Sequence, residues 1–151
     1  MFITYYESPV GTIEITGDAS EITGIKFTDC AQTVENSNEI TENCKKQLEE
    51  YFSGAREVFD FSFKFSGTEF QEKVWNEVYK IPYGEVVTYK QIAQNIGNAK
   101  AVRAVGTAVG RNPIAIVVPC HRVVGCNNSI GGYAYGIQIK KELLRLEKFM
   151  V

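Results

Sequence analysis

The sequence predicts an α+β fold in two parts: a small antiparallel sheet with one helix over residues 1–65, and a mostly helical part over residues 66–151. Three observations predict it. Apolar residues alternate with period two through the first thirty positions, the marks of strands. After residue 66 the period becomes helical, and two capping boxes open the helical segments. The charge also divides: residues 1–65 carry five basic and 12 acidic side chains, residues 66–151 carry 11 basic and 6 acidic ones, under an overall net charge of −2. A basic half beside an acidic half suits a polyanion partner for the second half, or is a scatter of solvated charge.

In chain order, "FITYYE" and "TIEITG" flank the turn "SPVG", and "GIKFTD" follows as a third strand, which makes a meander. "NEITENCKKQLEEYFSG" then places Ile40, Cys44, Leu48, Tyr51 and Phe52 at helical spacing and stops at Gly54. "FDFSFKF" returns to period two, with Phe59, Phe61, Phe63 and Phe65 on one face of an expected strand. The polar "SGT" at 66–68 marks the boundary. Beyond it, Thr68 with Gln71 opens a helix whose stripe is Phe70, Val74, Val78 and Ile81 and which Pro82 ends. Thr88 with Gln91 opens a short helix, "YKQIAQNI", that stops at Gly97. Asn98 is expected to cap a third helix, "AKAVRAVGTAVG", before Asn112 and Pro113 break it. Two short helices about a tight turn have the outline of a helix-turn-helix. The apolar run Ile116, Val117, Val118 reads as a strand ending at Pro119, and "KKELLRLE" as the final helix.

No apolar run approaches the roughly 20 residues of a membrane helix, and the start holds Glu7 and Pro9 rather than a basic region followed by an apolar one, so a cytoplasmic protein without a membrane partner is expected. The four cysteines form no CxxC pair, and a single histidine offers poor zinc chemistry. Reduced thiols and no cofactor or metal are expected.

The third helix is slender, with Ala101, Ala104, Gly106, Thr107, Ala108 and Gly110, and Arg103 is the one long side chain of its first two turns. Small residues on a helix mean either tight packing against a neighbour or, in a basic helix-turn-helix, entry into a DNA groove, the minor groove included. In "IVVPCHRVVG" a thiol, the chain's only imidazole and a guanidinium are adjacent. Cys120 is either an inert buried cysteine or a nucleophile that His121 helps to deprotonate, with Glu147 as an orienting third group. Arg122 is either a surface cation or a phosphate contact.

"PCHRV" at 119–123, preceded by "NP" at 112–113 and followed by "GGY" at 131–133 and by "KK" and "LL" up to Glu147, resembles the active-site region of the O6-alkylguanine-DNA alkyltransferases. "SPVG", "FQEKVWNEVYKIPYGEVVTYKQIA" and "AVRAVGTAVGRNP" extend the resemblance in order along essentially the whole chain. It implies a ribonuclease-H-like N-terminal domain and a winged helix-turn-helix C-terminal domain. It implies direct, irreversible, stoichiometric transfer of the alkyl group from O6-alkylguanine, and from O4-alkylthymine, in double-stranded DNA to Cys120 of a self-inactivating monomer. His121 would take the thiol proton through a water, Glu147 would hold its tautomer, Tyr89 would donate a proton toward the guanine, and Asn112 would tie the helix-turn-helix to the reactive turn. Arg103 would fill the place of the flipped base from the minor groove, beside Ala101, Ala104 and Thr107. The 131–136 loop with Tyr133, Ala134 and Gly136 would wall the pocket, and carbonyls of Cys120 and Val123 would receive the guanine amino group. Some relatives carry serine where Ala134 stands, and others hold zinc in the N-terminal domain; Cys30 and Cys44 without a histidine imply no structural zinc here. Cys126 carries no role. A DNA-binding damage sensor and a Cys-His hydrolase are the rival readings. Relatives that only sense damage lack the acceptor cysteine, and a hydrolase would turn over.

Overall fold

A computed structural model describes residues 1–31, 34–127 and 129–149. The chain forms two compact units, one of residues 1–65 with 113–115, the other of residues 66–112 with 116–151.

In the first unit, β1 (Phe2–Ser8), β2 (Gly11–Gly17) and β3 (Ile22–Thr28) form an antiparallel meander in that order. The turn between β1 and β2 is tight because Gly11 adopts a positive φ of 135° while Ser8 Oγ donates to its carbonyl at 2.6 Å. Strand alternation puts Ile13, Ile15 and Ile25 fully inside, and the register shift between Thr16 and Gly17 in the β2–β3 pairing lets Ile22, three residues before Ile25, be buried as well. Helix α1 (Glu39–Phe52) covers this face with Cys44, Leu48 and Tyr51, and its start is closed by a capping box between Asn38 and Thr41. The segment 59–65 departs from expectation. Its four phenylalanines are half-buried and alternate with exposed residues, but it is no regular strand. It makes one parallel bridge, in which Ile22 N donates to Ser62 O at 3.0 Å and Lys64 N to Ile22 O at 2.9 Å. The alternation reports which side faces the core; a strand needs a continuous partner edge as well.

The second unit contains α2 (Glu69–Tyr79), β4 (Val87–Thr88), α3 (Tyr89–Asn95), α4 (Val102–Gly110), a 3₁₀ turn at Cys120–Arg122, β5 (Val123–Val124) and α5 (Ile137–Leu146). Both expected capping boxes form: Thr68 accepts from Gln71 N, and Thr88 from Gln91 N. Helix α4 packs against α2 and α3, and the Trp75 indole of α2 donates to Ala108 O of α4 at 2.8 Å. The expected cap by Asn98 is not made. Residues 98–101 form a turn in which Asn98 O accepts from Ala101 N, and α4 begins only at Val102, with no side-chain cap. The expected strand at 116–118 is also absent. Ile116 has φ 71°, and 115–117 are turns inside the core. A short buried apolar run carries no periodicity that separates a strand from a buried turn.

Candidate active site

The reactive trio sits on the 3₁₀ turn rather than on a strand end. Cys120 N donates back to Val118 O at 2.8 Å and Arg122 N to Pro119 O at 2.9 Å, so the chain curls immediately after the proline. All three side chains are buried. The strand that leaves the turn, β5, pairs in parallel with β4, which runs directly into α3, and Tyr89, the first residue of α3, is near enough to Cys120 for a thiolate there to raise its hydroxyl, after the larger effect of burial. Behind the turn, Asn112 donates from Nδ2 to Val118 O at 2.7 Å.

Glu147 caps the end of α5, 2% exposed. Its Oε2 lies 2.7 Å from His121 Nε2 and accepts from Arg122 Nη2 at 2.9 Å, and its Oε1 accepts from Arg122 Nε at 2.8 Å and from Gly84 N at 3.3 Å. Burial alone would raise this carboxyl, but the bonds and charges of His121 and Arg122 outweigh it and hold the acid well below the usual carboxylate range. An ionised carboxylate only accepts, so the hydrogen of the pair resides on His121 Nε2 and the lone pair on Nδ1. Burial, with the charges of Arg122 and Lys140, pushes the imidazole below its ordinary value against the pull of Glu147. Nδ1 is buried and has no hydrogen-bond partner among the described residues. It is therefore a neutral acceptor on the residue that follows Cys120 in the chain. The Cys120 thiol is pushed up by burial, partly offset by a hydrogen bond from Asn112 and by the charge of Lys140, so it needs a base to become a thiolate.

Arg122 matches neither surface reading. It is 6% exposed, and besides Glu147 it donates from Nη1 to Ile81 O at 2.7 Å, with its guanidinium 5.7 Å from the centroid of the Tyr83 ring.

A cavity of about 340 Å³ is lined by Tyr89, Gly106, Val109, Gly110 and, from the 131–136 loop, Gly132, Tyr133 and Ala134. Burial raises the Tyr89 and Tyr133 hydroxyls, so both remain proton donors at neutral pH, and the Tyr89 hydroxyl reaches Gly132 O at 3.4 Å. Gly136, with φ 104°, turns the loop into α5 rather than lining the cavity. Val123 is fully buried, and its carbonyl accepts from Lys140 Nζ at 2.6 Å.

Lys140 escaped the sequence reading. It is fully buried, it also donates to Gly132 O at 2.9 Å, and its ammonium stands 5.9 Å from the centroid of the Tyr89 ring. Burial lowers its pKa from 10.5 to about 8. The signal was present in the spacing: Lys140, Leu143, Leu144 and Glu147 occupy one helical face, so a lysine and a glutamate stand at inward positions.

Helix α4 borders a second feature. Its exposed residues include Arg103, Ala104 and Thr107, and with Lys100 and Ala101 these line a groove of about 610 Å³ that also reaches Thr68. The four residues expected at a nucleic acid thus share one open surface. The opposite side of the helix supplies Gly106 and Val109 to the cavity. Cys126 and Cys30 are exposed, free thiols, and Cys44 is buried in the first unit.

Residues 1–65 match the ribonuclease-like domain, and residues 69–149 the DNA-binding domain, of 6-O-methylguanine DNA methyltransferase. The chain is 47% identical to the methylated-DNA–protein-cysteine methyltransferase of Methanosarcina acetivorans, over 97% of this chain and 98% of that one. It is 40% identical to the enzyme of the same name from Haemophilus influenzae, over 98% and 87%. The crystal structure of Mycobacterium tuberculosis OGT in complex with DNA superposes with a TM-score of 0.90 at 39% identity, covering 98% of this chain and 93% of that one.

Proposed function

Because the chain belongs to the 6-O-methylguanine DNA methyltransferase family, we propose that it repairs double-stranded DNA by moving the alkyl group of O6-alkylguanine, and of O4-alkylthymine, onto its own Cys120. The observation that carries this reading is a buried thiol followed in the chain by a neutral imidazole, one nitrogen of which is held by a carboxylate while the other is a buried acceptor with no hydrogen-bond partner among the described residues. His121 Nδ1 takes the thiol proton through a water. The sulfur then attacks the alkyl carbon: the S–C bond forms, the C–O6 bond breaks, and the electron pair goes to the purine. Tyr89, a protonated phenol at the cavity wall, supplies a proton to the leaving base. The product is a thioether, a poor leaving group, so each molecule acts once.

A base inside a duplex must leave the stack to reach the cavity, at a cost of a few kcal/mol that damage lowers. The slender face of α4, with Ala101, Ala104 and Thr107, enters the minor groove, and Arg103 takes the vacated place. Tyr133 and Ala134 wall the flipped base, Gly136 sets the course of their loop, and the Val123 carbonyl receives the guanine amino group. Asn112 keeps the reactive turn in register with the helix-turn-helix. The basic half meets the phosphates, so affinity falls as salt rises. No helix among the described residues is long and apolar enough to cross a membrane, and we place the activity in the cytoplasm.

The test is intact mass after incubation with a duplex carrying O6-methylguanine. A gain of about 14 Da, saturating at one per molecule and absent from C120A, is expected when methyl replaces the thiol hydrogen. An unchanged mass with DNA binding intact would establish the damage sensor instead.

A further inference from the structure

The segment "IPYG" at 81–84 and Arg122 are both prominent in the sequence, and neither touches the cavity described above. The structure gives them one shared object, the carboxylate of Glu147. Arg122 grips it with two N–H groups at 2.8 and 2.9 Å, the planar fork that matches a carboxylate. The 81–84 turn then fixes the fork. Ile81 O receives the remaining guanidinium arm at 2.7 Å, the Tyr83 ring lies against the guanidinium, and Gly84 N adds a donor to Oε1 at 3.3 Å. Tyr83 is itself tied by its hydroxyl to Leu146 O, one residue before Glu147, at 3.2 Å. Gly84 has φ 78°, and a Cβ there would stand 3.3 Å from Glu147 O, so a glycine is suited to this approach.

We propose that Arg122, seated by the 81–84 turn, is a positioning residue for alkyl transfer: it neutralises Glu147, so that His121 serves as a neutral base with its hydrogen on Nε2 and its lone pair toward Cys120. This rests on the alkyl-transfer reading and deepens it. A buried carboxylate with one ionisable neighbour would draw a proton onto that neighbour. Here the carboxylate meets a guanidinium as well as the imidazole, and the guanidinium's charge satisfies it, leaving the imidazole uncharged. Charged and titratable groups face the pair from several elements. Glu147 meets His121 and Arg122 from the 3₁₀ turn and the field of Tyr133 from the loop, and His121 meets Glu147 and Lys140 from the C-terminal segment and Arg122 from its own turn. Removing the Arg122 charge raises the pH at which the His121–Glu147 pair takes up a proton, and a protonated imidazole cannot accept one from the thiol.

The chain's only histidine is His121, so imidazole nitrogen resonances are unambiguous in the full-length protein. NMR titration is read beside single-turnover transfer from an O6-methylguanine duplex, from pH 5 to 9, for wild type, R122M and R122K. In the wild type the Nε2–H tautomer should persist through neutral pH. In R122M the imidazolium signature and the acid limb of the rate profile should both move up by one pH unit or more, with transfer recovering at high pH. R122K, which keeps a cation, should hold both near their wild-type positions at a lower plateau. A rate in R122M lowered by one factor at every pH, with an unmoved titration, would mean a merely structural arginine and overturn the proposal. If R122M does not fold, two results still overturn it: an Nδ1–H tautomer or an imidazolium at pH 7 in the wild type, or an imidazolium at pH 7 in R122K. The titration is independent of activity, so a wild type that shows the expected tautomer but transfers no methyl group would reject the function and not the electrostatics.

Discussion

Replacing Lys140 with methionine keeps an unbranched apolar stem and removes a buried cation. Two effects oppose one another. The carbonyls of Val123 and Gly132 lose donors at 2.6 and 2.9 Å, and a buried acceptor left without its partner costs about 1–3 kcal/mol. In the other direction, the fall in pKa from 10.5 to about 8 states what it costs to keep the amine charged inside: at most about 3 kcal/mol before any solvent screening, at 1.36 kcal/mol per pH unit. With two acceptors affected, at pH 7 the variant should therefore lie between a gain of about 1 kcal/mol and a loss of about 6 kcal/mol. The pH dependence is more telling. The folded pKa is below the unfolded one, so between about pH 8 and 10.5 the unfolded wild-type chain holds a proton that the folded chain has released. Wild-type stability relative to K140M thus rises with pH across that window, by up to about 3 kcal/mol, and is level below it. Urea unfolding of both proteins from pH 7 to 10.5 measures this difference, in which the titrations of the tyrosines and cysteines largely cancel. A difference that stays flat, or that shrinks as pH rises, would refute the reasoning.

Two further substitutions probe the cavity wall. At Gly131, with φ 74°, an added Cβ would lie 3.0 Å from Tyr89 Cε2 and 3.2 Å from its hydroxyl. G131A should cost about 1–2 kcal/mol in backbone strain and slow single-turnover transfer at least tenfold by displacing the phenol. Y89F removes a hydroxyl whose bond to Gly132 O is long, at 3.4 Å. Thermal unfolding should shift by less than about 1 kcal/mol in stability while the transfer rate falls about 10²-fold or more, the usual loss for a positioned proton donor. Equal losses in stability and rate would assign Tyr89 to the core.

Much of this protein is local in the sequence. The meander, the capping boxes of α1, α2 and α3, the stripe of α2 and the small residues of α4 are each written in contiguous residues, because caps and amphipathic periods act over three or four positions. The Cys120–His121 pair and its link to Glu147 were legible for the same reason joined to a distinctive motif. The errors fall where contiguity misleads. Residues 59–65 alternate as a strand does but find only one bridge, and 116–118 are apolar as a strand is but fold as buried turns. What only the tertiary structure decided is the destination of charge. Arg122 and Lys140 look like surface cations in a basic half, and both are inside. Their partners, Glu147 at 25 residues' separation, Ile81 at 41 and Val123 at 17, are brought to them only when the 3₁₀ turn, the 81–84 turn and α5 pack together. A charge is admitted to a core only where its counter-ion and acceptors are already assembled, and that assembly depends on contacts far apart along the chain.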